Sequence, residues 1–194
     1  MKKVIYIDVE KCLGCRSCEL ECAVAHSAAK SLLGALREEP RPRPRVQVET
    51  AEGFIVPLQC RHCEDAPCVA VCPSGALKKL GPEQPVIFQE ERCIGCMTCV
   101  VACPFGLIRP DRDRSVLKCD FCIERQEEGL EPACVSACPT GAIQVRSLDE
   151  VAQEARRRTA QSLLVSFKGA SPQAETSSET DQGRAAEQPG TADN

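Results

Sequence analysis

Sixteen cysteines in a chain of 194 residues fall into four groups of four, with none left over. The groups are Cys12, Cys15, Cys18 and Cys22; Cys60, Cys63, Cys68 and Cys72; Cys93, Cys96, Cys99 and Cys103; and Cys119, Cys122, Cys134 and Cys138. So dense a set of thiols is either oxidised to disulfides or bound to metal. Other core-building material is scarce. The chain has five Phe, one Tyr and no Trp, and large aromatic side chains normally supply much of a core's buried area. Sulfur has to take their place.

The choice between disulfide and metal turns on compartment. The chain opens with Lys2, Lys3 and the apolar run Val4 to Ile7 before Asp8. That run is too short for a signal peptide, and no small-residue cleavage site follows. No twin-arginine signal stands near the start, and no apolar stretch approaches the ~18 residues of a membrane helix. The expectation is a cytoplasmic protein without a membrane span, in which thiols stay reduced and bind metal. The formal net charge of −4 argues against nucleic acid as a partner.

The spacing narrows the metal. Cys12-x2-Cys15-x2-Cys18-x3-Cys22 and Cys93-x2-Cys96-x2-Cys99-x3-Cys103 are the bacterial ferredoxin run, in which three thiolates grip one [4Fe–4S] cube and the fourth reaches a neighbouring cube. Three ligands within seven residues suit a compact cluster held by one loop. Gly14 and Gly95 permit backbone conformations there that a side chain would oppose. Sixteen ligands at four per cube give four cubes. The alternative is zinc, for which Cys119, Cys122, Cys134 and Cys138 alone could form a tetrahedron. In groups one and three a third cysteine crowds each pair. Four oxidised cubes with their thiolates would add roughly −8 to the formal charge, favouring partners with a basic docking face.

The pattern also repeats. Ile7-Asp8-Val9-Glu10-Lys11-Cys12-Leu13-Gly14-Cys15 aligns with Phe88-Gln89-Glu90-Glu91-Arg92-Cys93-Ile94-Gly95-Cys96. Cys72-Pro73, Cys103-Pro104 and Cys138-Pro139 close the other three groups alike, whereas Cys22 is followed by Ala23. Such repetition indicates one structural unit used several times. Short apolar runs at Val4 to Ile7, Val86 to Phe88 and Ala142 to Val145 read as strands, and Val46 to Leu58 as a hairpin around Gly53. Ala23 to Leu36 reads as a continuing helix that stops before Pro40-Arg41-Pro42-Arg43-Pro44-Arg45, since alternating proline favours an extended spacer. Ser147-Leu148-Asp149-Glu150 is a capping box, placing a helix over about 148–168. The stretch 169–194 reads as a disordered acidic tail; from Ser171 on it holds five acids and one Arg.

No P-loop, dinucleotide fingerprint or nucleophile–base constellation accompanies the cysteines. The chain is expected to move electrons and to have no catalytic site of its own. With so few large apolar residues, metal binding and folding should be one event. His26 and His62 are expected to hydrogen-bond or to stand at the surface, since the cysteines already fill four cubes. Arg156-Arg157-Arg158 is expected to be a solvated helix face.

Cys60-Arg61-His62-Cys63-Glu64-Asp65-Ala66-Pro67-Cys68 and the Cys-Pro repeats resemble the four-cluster polyferredoxin subunits of molybdopterin oxidoreductases, formate dehydrogenases and hydrogenases. More narrowly, Lys11 to Glu19, Cys22-Ala23-Val24-Ala25-His26-Ser27, Pro42-Arg43-Pro44-Arg45-Val46 and Pro57-Leu58-Gln59-Cys60 resemble the CooF-type iron–sulfur proteins. The resemblance implies an α+β fold over residues 1–147, with an insertion at about 23–59. It would be built of two interleaved ferredoxin-like units, each holding two cubes. It implies that Cys12, Cys15, Cys18 and Cys138 hold one cube, and Cys22, Cys119, Cys122 and Cys134 a second. Cys60, Cys63, Cys68 and Cys103 would hold the third, and Cys72, Cys93, Cys96 and Cys99 the fourth. The internal repeat alone would equally allow groups one and two, and three and four, to pair. The partners implied are carbon monoxide dehydrogenase as donor and a hydrogenase as acceptor, within a hetero-oligomer. Formate dehydrogenase, hydrogenase or a tungsten or molybdenum aldehyde oxidoreductase are the alternatives, with filament formation a further possibility.

Overall fold

Among the described residues, four separate two-stranded antiparallel sheets and a set of short helices carry the cysteines. The computed structural model of the chain describes residues 3–169, and side chains through residue 167. In chain order the elements are β1 (Lys3–Ile7), α1 (Ser17–Ala25), α2 (Leu32–Arg37), β2 (Gln47–Ala51), β3 (Phe54–Leu58), α3 (Pro67–Ala70), β4 (Leu77–Lys79) and β5 (Val86–Phe88). Then come α4 (Thr98–Ala102), β6 (Arg109–Pro110), β7 (Val116–Leu117), α5 (Ile123–Glu127), α6 (Ala133–Ser136), β8 (Ile143–Ser147) and α7 (Leu148–Gly169).

The chain ends of the cysteine region meet. Strand β1 pairs with β8 in the register Lys3↔Ser147 to Ile7↔Ile143, which sets group one beside the exit of group four. Strands β4 and β5 pair with Leu77 opposite Phe88, which sets group two beside the entry to group three. The two arrangements repeat in detail. Asp8 N–H donates to Ala142 O and Gln89 N–H to Ala76 O, both at 2.8 Å. A 3₁₀ turn then precedes Cys12 at Val9–Lys11, and another precedes Cys93 at Glu90–Arg92. Helix α1 packs on α6, and α3 on α4.

Thiols are themselves core residues. One apolar cluster joins Cys18, Cys22 and Cys134 to Ile5, Val46, Val48, Phe121 and Ile143. The other joins Cys68 and Cys99 to Leu77, Val86, Ile108 and Val116. The first draws its cysteines from groups one and four, the second from groups two and three.

Hairpin β2–β3 turns at Glu52 and Gly53, with φ of 49° and 84°; two successive positive φ values give a tight turn whose twist matches the strands. It closes on group one, where Gly14 at φ +67° leaves room for Ile55, whose Cδ1 would lie 2.7 Å from an added Cβ. The reading of Ala23 to Leu36 as one helix is corrected. Helix α1 ends at Ala25, where Ser27 Oγ turns back to Val24 O at 2.7 Å and Lys30 takes a left-handed φ of 49°. Ser31 then caps α2, its Oγ accepting from Gly34 N–H. Hydroxyls that bond the local backbone compete with the helix ladder and break it.

The Pro-Arg run is tied down along its length. Arg43 donates to Asp111 Oδ1 at 3.0 Å, Arg109 donates to Pro44 O, and Arg45 pairs with Asp120. At the end of β8, Ser147 Oγ accepts from Glu150 N–H at 3.2 Å while Glu150 Oε2 accepts from Ser147 N–H at 2.7 Å, closing a capping box on α7. Contacts divide the chain into one unit through Glu154 and another from Ala155, the latter helical through Gly169. The expected acidic tail, from residue 170 on, lies outside the described residues.

Candidate metal centres

All sixteen cysteines carry free thiols, and the fold gathers them across group boundaries. One cavity is lined by Cys72 from group two together with Cys93, Cys96 and Cys99 from group three. A second is lined by Cys60, Cys63 and Cys68 from group two and Cys103 from group three. On the other side of the repeat, the charge of a Cys138 thiolate raises the Cys15 thiol's proton affinity. Cys134 feels Cys22, Cys122 and Cys18, and Cys119 feels Cys22 and Cys134. Cys12 follows its 3₁₀ turn at the head of group one.

Burial sorts the thiols. Cys22, Cys119, Cys122 and Cys134 are all buried, whereas Cys15 and Cys96 are exposed. Desolvation, which disfavours thiolate in an apolar setting, pushes Cys18, Cys68 and Cys122 up to about 11 and raises Cys119 and Cys134 strongly as well. Exposed Cys15 and Cys96 move the other way, lowered by the hydroxyls of Ser17 and Thr98. Buried thiols this reluctant to ionise bind as thiolates only when a cation replaces their protons.

Backbone and hydroxyl donors are already aimed at the sulfurs. His62 N–H donates to Cys60 Sγ and Phe121 N–H to Cys119 Sγ, each at 3.4 Å. Arg45 N–H reaches Cys22 Sγ at 3.2 Å, Leu107 N–H reaches Cys103 Sγ at 3.5 Å, and Thr98 Oγ1 reaches Cys96 Sγ at 3.4 Å. Such bonds favour anionic sulfur and help set a cluster's potential. Buried His62 Nε2 and both amide atoms of Gln59 have no hydrogen-bond partner, and each stands within one residue of a cysteine pair's first ligand or between the pair. Soft, anionic, thiolate-bound clusters suit this donor set. Sixteen thiols gathered in this way are the chemistry of iron–sulfur or zinc rather than of hard cations.

Several residues around the thiols carried no signal in the sequence. Asp120 Oδ1 accepts from Cys122 N–H at 2.9 Å, and its carboxylate meets His26 Nε2 at 3.2 Å and Arg45. His26 Nδ1 lies 2.7 Å from Cys22 O and 3.7 Å from Cys22 Sγ. Burial opposes charge on His26, but Asp120 and Cys22 outweigh it and lift the imidazole to about 9. His26 and Arg45 hold Asp120 well below the usual carboxylate range despite its burial. Ligand atoms of His26, Asp120 and Cys122 lie within 4.8 Å of one another, yet the first two already bond each other. His62 behaves oppositely. Its burial and the charges of Lys118 and Lys79 push it down to about 3, and its Nδ1 accepts from Val86 N–H at 3.1 Å. Both histidines thus make hydrogen bonds. Lys118 is buried, with Nζ 2.5 Å from Val86 O and 2.7 Å from Cys119 O. Lys118-Cys119-Asp120-Phe121-Cys122 laid over Gln59-Cys60-Arg61-His62-Cys63 would have drawn attention to it. A further cavity of about 760 Å³ borders β1, His62, Phe121 and α5, but only one cysteine, Cys60, lines it.

A model of the 4Fe-4S dicluster domain matches residues 51–148, and one of the 4Fe-4S binding domain matches residues 9–25. The chain belongs to the 4Fe-4S dicluster family. It is 40% identical over 172 residues to an iron-sulfur protein of Rhodospirillum rubrum, covering 80% of this chain and 89% of that one. It is 39% identical over 179 residues to the electron transport protein HydN of Escherichia coli (strain K12), covering 82% of this chain and 98% of the other. The thiosulfate reductase electron transfer subunit PhsB of Salmonella typhi is 37% identical over 150 residues, with 76% of this chain and 77% of that one covered. This member of the dicluster family is an iron–sulfur electron-transfer protein with a mixed helix-and-strand fold. No helix among its described residues is long and apolar enough to cross a membrane.

Proposed function

We propose that the chain is a four-cube electron wire without a catalytic site of its own, working in the cytoplasm as a subunit or carrier beside a low-potential oxidoreductase. Its cysteines are assigned in two interleaved pairs of sets. Cys12, Cys15, Cys18 and Cys138 hold the first cube, and Cys22, Cys119, Cys122 and Cys134 the second. Cys60, Cys63, Cys68 and Cys103 hold the third, and Cys72, Cys93, Cys96 and Cys99 the fourth. The observation that carries this reading is the composition of the two thiol-lined cavities, one drawing three cysteines from group two and one from group three, the other one from group two and three from group three. Pairing of neighbouring cysteines along the chain would not produce that mixture.

Order along the wire follows from burial and from one contact. Exposed Cys15 and Cys96 belong to the first and fourth sets, which therefore face partners. Leu13 and Ile94, 71% and 65% exposed, stand beside those outer sets and offer apolar contact to a docking protein. The second and third sets lie inward, joined where His62 meets Phe121. A ligated [4Fe–4S] cube supplies one-electron storage there; the chain's residues hold it, exclude water from it and set its potential.

Carbon monoxide dehydrogenase is the favoured donor, on the resemblance of the group-one and Pro-Arg motifs to CooF-type proteins, with a hydrogenase as acceptor. Likeness to a protein named as an electron transfer subunit of thiosulfate reductase favours, as a second reading, a subunit of another oxidoreductase complex, formate or aldehyde oxidoreductases among them. An anaerobic pull-down from the native cells separates the two. Retained carbon monoxide dehydrogenase, with CO bleaching the cluster absorbance, supports the first reading. Retention of a different oxidoreductase, with no response to CO, overturns the choice of partner.

A further inference from the structure

Lys118 is the only basic side chain other than histidine that is buried among the described residues, with 3% of its surface exposed. No carboxylate pairs with it there: its ammonium donates to two carbonyl oxygens, Val86 O and Cys119 O. An ammonium out of water without an anion is costly. Position says where the balancing charge comes from. Cys119 belongs to the second proposed set, and Val86 lines the cavity shared by Cys60, Cys63, Cys68 and Cys103 of the third. The counterparts of Lys118 are Gln59 before group two, 1% exposed and neutral, and Lys11 and Arg92 before groups one and three, both exposed, so the cation is buried at only one of the four positions.

We propose that Lys118 is the fixed positive charge of the central junction, and that it makes the two inner cubes easier to reduce than the repeat alone would. The inference rests on the four-cube reading above. Adding one electron takes an oxidised cube with its thiolates from about −2 to about −3. A buried cation stabilises the more negative state, through a medium that screens weakly. Lys118 touches no cube ligand's sulfur and is a positioning charge. Cys15 and Cys96 of the outer sets are exposed, where solvent and salt screen a charge.

The test uses the full chain with its clusters loaded anaerobically, titrated with dithionite and followed by electron paramagnetic resonance. Iron is counted first. A wild-type protein holding fewer than four cubes sinks the underlying reading, and this inference with it. With four present, Lys118→Gln should move two of the four midpoints to more negative potential by at least tenfold in the reduced-to-oxidised ratio, about 59 mV for one electron. Lys118→Arg should return them. Four unmoved midpoints in a fully loaded Lys118→Gln protein, or no recovery with arginine, would overturn the assignment while leaving the wire intact. Should Lys118→Gln lose clusters, Gln59→Lys supplies the reciprocal measurement. An added cation should move inner midpoints positive, and an unmoved set overturns the proposal.

Discussion

His62 and Phe121 meet edge to face, with ring centroids 5.6 Å apart and ring planes at 69°. Each is the residue before the second cysteine of a C-x-x-C pair, each has a left-handed φ, 47° and 65°, and each sends its backbone N–H to the first sulfur of its pair. Two equivalent loops of the repeat thus face one another through their rings, and the second and third proposed cubes adjoin across them. Phe121→Ala would empty a buried site in the thiol-bearing core. The expected loss is about 3–5 kcal/mol, with faster bleaching of clusters by oxygen as water reaches the junction. Phe54→Ala, at a ring 59% exposed, should stay within about 0.5 kcal/mol of the parent. Anaerobic thermal unfolding of the loaded proteins compares them, and equal losses would remove the junction's role.

Gly95 sits between the first two ligands of group three at φ +70°, and an added Cβ would come within 2.6 Å of the Arg114 carbonyl oxygen. Backbone cannot swing aside as a side-chain tip can. Gly95→Ala should therefore lose the cube of its loop, read as roughly a quarter of the iron given four equal cubes. Gly53→Ala meets nothing within 4 Å and carries only its left-handed cost of about 1–2 kcal/mol. It should retain full iron.

Pairing across groups makes a prediction that sequential pairing does not. Cys12→Ser and Cys138→Ser should disturb the same cube, so the double variant should look spectroscopically like either single one. Cys119→Ser should disturb a different cube from Cys138→Ser, although the two residues lie in one group. Additive loss in the Cys12/Cys138 double variant would contradict the assignment.

The cluster of His26, Asp120 and Arg45 makes stability depend on pH in a known direction. His26 stands at about 9 in the fold against about 6.5 unfolded. Its contribution is complete below about 6.5 and is lost as pH rises through 9. Asp120 is held low, so its contribution is complete above about 3.9 and is lost only in strong acid. The loaded protein should be less stable at pH 9 than at pH 6, and Asp120→Asn should flatten that decline. An unchanged decline in the variant would show that other groups cause it.

Much of this was legible in the residues because ligand spacing is a local property. The ferredoxin runs at Cys12 and Cys93, the hairpin turning at Gly53 and the capping box at Ser147 each depend on contacts within a few residues, and periodicity and turn chemistry report such contacts. Which groups pair is not local. It depends on β1 finding β8 across more than a hundred residues, and the repeat permitted both pairings. The helix read through Ala23 to Leu36 failed because Ser27 and Ser31 bond the backbone and Lys30 adopts a positive φ, against the Ala/Leu composition around them. Lys118 and Asp120 went unnoticed because charge beside a cysteine usually means solvent. Only the fold buries one and surrounds the other with Arg45 and His26.

Counting iron, acid-labile sulfide and reducing equivalents in the anaerobically prepared chain tests the central claim most directly. Four cubes require about sixteen iron, about sixteen sulfide and about four electrons per chain, with no zinc. About eight iron with zinc, or fewer than four electrons at full reduction, would contradict the account.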